Sequence, residues 1–112
     1  MEEELKAALA QTIADFNNNR AQILQAAFST GGQETVTKIE QEYDALRDAY
    51  FELLKRQLDK NNHLYEQLML AAGTETGRLN TSIGQVSNIN SIIDLTTSVV
   101  NLLGRIIIVL GL

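Results

Sequence analysis

The sequence predicts an all-α fold: a long antiparallel helical hairpin followed by a third, very apolar helix, an up-down-up arrangement with coiled-coil-like packing. Three observations predict it. No proline occurs in 112 residues, so nothing locks φ or deletes a backbone donor inside a helix. Apolar residues recur at three- and four-residue steps through most of the chain, the spacing of one helical face. The seven glycines stand mostly as punctuation around those runs (Gly31, Gly32, Gly73, Gly77, Gly84, Gly104, Gly111), as short turns between long helices require. The length fits one domain over residues 1–112, with helices expected at about 2–28, 33–72 and 75–110.

In the first helix Leu5, Leu9, Ile13, Phe16, Ile23 and Ala27 make the periodic stripe. Glu2, Glu3 and Glu4 sit where a helix N-terminus favours negative charge. Asn17, Asn18 and Asn19 are poor helix formers in a row, yet the periodicity survives them, so a continuous helix with a soft middle is expected. Ser29-Thr30-Gly31-Gly32 ends it in a turn, because glycine supplies the left-handed conformation of a helix exit.

The second helix buries Val36, Ile39, Tyr43, Leu46, Tyr50, Leu53 and Leu54, then Leu58, Asn61, Tyr65, Leu68 and Ala72. Read as uninterrupted, it is about 60 Å long. Its weak point lies between Lys55 and His63, where Leu58 alone is apolar. Glu34 with Lys38, Lys38 with Glu42, Glu52 with Arg56, and Lys55 with Asp59 are spaced four apart on the opposite, solvated face.

Gly73-Thr74 reads as a stop followed by an N-cap, opening the third helix. Residues 79–112 hold 17 aliphatic side chains and two charges, Asp94 and Arg105. In sevens, Leu79, Val86, Ile93, Val100 and Ile107 share a line, with Ile89, Leu103 and Leu110 three positions on. Ile92, Val99 and Ile106 fall beside that line, while Asn80, Ser87, Asp94 and Asn101 fall opposite. The β-branched run 106–110 would also suit a strand; the unbroken sevens favour a helix. An apolar arc of roughly half the circumference needs other helices or lipid to cover it.

The formal charge of −5 is carried entirely before position 79, by 13 acidic and 8 basic residues. No basic patch collects phosphates, so nucleic acid is not an expected partner. Cysteine is absent, which removes thiolate and disulfide chemistry. His63 has Asp59 one turn before it, a spacing two metal ligands use, but Lys60, Asn61 and Asn62 supply no further ligand. Glu40, Glu42, Asp44, Asp48 and Glu52 interleave with Lys38, Arg47 and Lys55, as a solvated face does. The three tyrosines stand on the buried stripe with hydroxyls reaching its rim. No catalytic residue, cofactor site or metal site is expected.

The polar face of the last helix is unusual. Asn80, Ser87, Asn90, Ser91, Asp94, Thr97, Ser98 and Asn101 stand where exposed helices ordinarily carry lysine and glutamate. The expected function is therefore structural or scaffolding: assembly through the C-terminal helix with copies of itself or with another helical protein. Val86, Ile89, Ile93, Val100, Leu103, Ile107 and Leu110 would form the interface, with Asn90, Asp94, Asn101 and Arg105 setting register. The alternative is a membrane-active protein whose last helix binds or enters a bilayer. The acidic start lacks the basic, then apolar, pattern of a secretory signal, so the expected location is the cytoplasm.

Overall fold

A computed structural model describes residues 2–56, 63–86 and 88–111 as an all-α bundle of four helices: α1 (Glu2–Asn18), α2 (Arg20–Leu54), α3 (His63–Gln85) and α4 (Ile89–Gly111). The soft middle of the first predicted helix is a bend. Asn19 leaves the helical region (φ −104, ψ 11), but its N–H still reaches the Asp15 carbonyl at 3.0 Å and its carbonyl accepts from the Ile23 N–H at 2.9 Å. The ladder therefore passes through the asparagines while the axis turns.

The predicted turn at the glycine pair is present inside α2. Gly31 (φ −151, ψ 17) and Gly32 (φ 73, ψ −158) are both non-helical, and the second of these conformations is essentially open to glycine alone. The chain reverses there. Residues 20 and 40 of one straight helix would lie about 30 Å apart, yet Arg20 and Glu40 form an ion pair at 3.6 Å. Phe16 likewise stacks on Tyr43 with ring centroids 4.1 Å apart.

Two expected boundaries move. The helix predicted over 33–72 ends at Leu54, where the Lys55 and Arg56 N–H groups tighten onto the Glu52 and Leu53 carbonyls at 3.3 and 3.2 Å. The reason is loss of the buried stripe: Leu53 is fully buried, whereas Leu54, expected on that stripe, is 43 % exposed, and Lys55 and Arg56 follow it. Leu58, Asp59 and Asn61 lie outside the described residues. Gly73-Thr74, expected as a stop, is mid-helix in α3. A single glycine costs about 1 kcal/mol in a helix, which the burial of Met69, Ala72, Leu79 and Ile83 around it exceeds. The break falls between Gln85 and Ile89 instead. Val86 takes a left-handed φ of 47, and Asn88 caps α4, its side-chain oxygen accepting the Ser91 N–H at 3.1 Å. The three-helix arrangement is thus corrected to four helices, and residues 106–110 are helical.

Both α1 and α4 pack on α2 and on α3, so α2 and α3, neighbours in sequence, face each other across a diagonal. Leu5 and Ala8 line a surface groove with Met69, Leu70 and Gly73. An α3 running opposite to α1 from that contact would overshoot it by about 20 Å. The longest dimension is only 46 Å, hardly more than the first limb of the hairpin, so α1 and α3 are parallel. The short connection from Gln85 to Ile89 then makes α4 antiparallel to α3.

One apolar core runs through all four helices. Its buried polar members among the described residues are Thr12, Thr76 and Thr96. The register of the two hairpins sets them within about one helical turn of the same height, one each from α1, α3 and α4. Thr12 and Thr96 donate to the carbonyls of Ala8 (2.9 Å) and Ile92 (2.6 Å) in their own helices. The Thr76 hydroxyl finds no such acceptor.

Candidate interaction surface

α4 carries the residues singled out for assembly, and its packing divides them. Ile89, Ile93 and Leu103 are buried in the chain's own core. Val86, Val100, Ile107 and Leu110 are half-buried at its margin. Asn90, Asp94, Asn101 and Arg105 are exposed. The fully buried line is Ile92, Val99 and Ile106, with Leu103 between them. Those are the residues that the sevens set to one side. The frame drawn from Leu79 crosses the break between α3 and α4, where Val86 leaves the helical phase, so it could not carry the inward direction into α4. Asn88 was the legible signal: an N-cap residue directly before an apolar periodic run.

What α4 shows to solvent is a stripe. Ser91, Asp94, Ser98, Asn101, Arg105 and Ile108 follow one another at steps of three and four, which keeps them on one side of a helix. Asp94, Asn101, Arg105 and Ile108 are exposed, Ile108 to 66 %, while Ser91 and Ser98 are half-buried. Asp94 and Arg105 are the only charges on the helix, and 11 residues bring them back to nearly the same angle. At three turns' separation they cannot reach each other. Neither takes part in an ion pair among the described residues. Half-buried Leu95 and Leu102 border the stripe. Further large apolar side chains are exposed elsewhere, among them Phe28, Phe51, Leu54, Leu64 and Leu70.

The first hairpin has a different chemistry. Tyr43 is buried, stacks on Phe16, and donates its hydroxyl to the Asn17 side-chain oxygen at 2.7 Å. Arg20 and Arg47 lie over the same ring, 5.9 and 5.8 Å from its centroid. This clasp gives the asparagine run a purpose that propensity does not reveal: Asn17 holds the hairpin shut. Its geometry is that of a structural contact between the two limbs of the hairpin.

The remaining chemical candidates are dispersed. His63 is exposed at the start of α3 and within 3.1 Å of Gln67; Asp59 lies outside the described residues. Glu40, Glu42, Asp44, Asp48 and Glu52 are at the surface, and Glu52 pairs with Arg56 at 3.0 Å and Lys55 at 3.8 Å. Among the described residues no three His, Asp or Glu side chains gather closely enough to hold a metal ion.

Compared with protein-family models, with curated proteins and with solved structures, the chain matches none of them.

Proposed function

We propose that this protein is a non-enzymatic scaffold that works by assembling, with copies of itself or with another helical protein, through α4. The observation that supports the reading is the composition of the exposed side of that helix. A helix face selected only for water carries strong helix formers and charge. Serine and asparagine, bordered by half-buried leucines and ending in a largely exposed isoleucine, instead permit close approach by another helix.

The same side chains make poor anchors for a bilayer, since interfacial helices carry lysine and arginine on their polar face and α4 has Arg105 alone. The membrane alternative draws on a different fact: α4, with 23 residues, is long and apolar enough to cross one. Insertion requires the bundle to open, because Ile92, Val99, Leu103 and Ile106 are fully buried against neighbouring helices.

Light scattering coupled to size exclusion, with liposome flotation on the same preparation, tests the proposal. A defined oligomer that ignores neutral and anionic liposomes supports assembly. A chain that floats overturns it, and a monomer at all concentrations overturns assembly with copies of itself.

A further inference from the structure

We propose that the α4 stripe Ser91, Asp94, Ser98, Asn101, Arg105, Ile108 docks antiparallel on the same stripe of a second copy. This rests on the assembly reading above and specifies its partner and geometry.

The steps along the stripe run three, four, three, four, three, a series that reads the same in both directions. An antiparallel helix pair about a two-fold axis requires that symmetry, since each position must meet its mirror position on the partner. With the axis between Val99 and Val100, Ser98 meets Asn101 of the second copy and Ser91 meets Ile108. Asp94 then meets Arg105, and Arg105 meets Asp94. The two charges without an ion pair within one copy therefore neutralise each other twice across the axis.

The parallel alternative sets Asp94 against Asp94 and Arg105 against Arg105, so charge selects the orientation. Serines at the centre keep the helices close, and each Ser98 hydroxyl and Asn101 amide can hydrogen-bond across the seam. Ile108 and the bordering Leu95 and Leu102 supply apolar area at the flanks. A lipid surface has no counterpart for the alternation of one acid and one base.

Sedimentation equilibrium of the full chain tests this through charge reversal. Asp94→Arg and Arg105→Asp each place like charges at two symmetric contacts. Each should raise the dimer dissociation constant by about fivefold or more, and the double reversal should restore it to within about twofold. Both side chains are exposed, so unchanged helical content, and unchanged melting at concentrations where parent and variant are both monomeric, confirm that folding is intact. Orientation is read independently by oxidation, as the chain has no cysteine of its own. Ser91→Cys/Ile108→Cys should form a disulfide-linked dimer. Either single substitution should not, since its two copies would lie about 25 Å apart. An oligomer indifferent to both reversals, or cross-linked by Ser91→Cys alone, overturns the antiparallel stripe and leaves assembly standing. A wild-type chain that is monomeric throughout overturns the antiparallel stripe and assembly with copies of itself.

Discussion

The two hairpins of this bundle are held by different physics. The hairpin closed at Gly31–Gly32 brings α1 against the second limb of α2. Beside a thin line of buried aliphatics it uses specific contacts: a stacked aromatic pair, a tyrosine hydroxyl on Asn17, and the Arg20–Glu40 ion pair. The hairpin of α3 and α4, closed between Gln85 and Ile89, has no ion pair between its helices among the described residues. It relies on aliphatic bulk, with seven fully or nearly fully buried apolar side chains on α4 alone. Apolar burial is strong but undirected, whereas hydrogen bonds and charge pairs are weak but select a partner. The difference teaches that the first hairpin carries its own pairing code, while the second needs its turn, and the helices beside it, to fix which way α4 faces.

The contrast is broken most severely in the apolar hairpin. Leu103 is fully buried, so Leu103→Ala should cost about 3 kcal/mol, as a cavity in a tightly packed core does. Urea unfolding should show a lower midpoint with an unchanged slope.

Gly32→Ala strikes the first hairpin at its turn. With φ 73 and ψ −158 an alanine pays about 1 to 3 kcal/mol, although space around the site is open. Thermal melting should fall accordingly, and Gly32→Asn should rescue less than it would in an ordinary left-handed turn, because ψ here is extended.

Asn88→Ala removes the cap of α4 and should destabilise by about 1 kcal/mol. Hydrogen exchange should locate the loss in the first turn of α4, leaving the first hairpin's protection pattern in place.

The smallest effect has the opposite sign. Thr76 is buried with its hydroxyl unpartnered, so Thr76→Val should stabilise the bundle by up to about 1 kcal/mol. Thr96→Val, which gives up a 2.6 Å bond to the Ile92 carbonyl, should gain less. A Thr76→Val variant less stable than the parent would show that this hydroxyl has a partner in solution.

Local chemistry by itself determined the all-α class, the reversal at Gly31–Gly32, and most of the inward stripe of α1 and α2. Proline's absence, a 3.6-residue apolar period and a conformation reserved to glycine each act within a few residues, so they are readable before any packing. The buried positions of Leu5, Leu9, Phe16, Ile23, Ile39, Tyr43 and Leu46 follow from that period alone. Where a helix stops was decided by tertiary structure. Gly73 stays helical because the residues around it are buried, and Val86 accepts a left-handed backbone because the chain must turn there for α4 to pack. Those outcomes depend on neighbours distant in sequence, which no local propensity contains. The face that α4 turns inward was settled the same way. Its apolar arc is broad enough to satisfy several rotations, and only contact with α2 and α3 selects Ile92, Val99 and Ile106 for the core and leaves Asp94 and Arg105 in solvent.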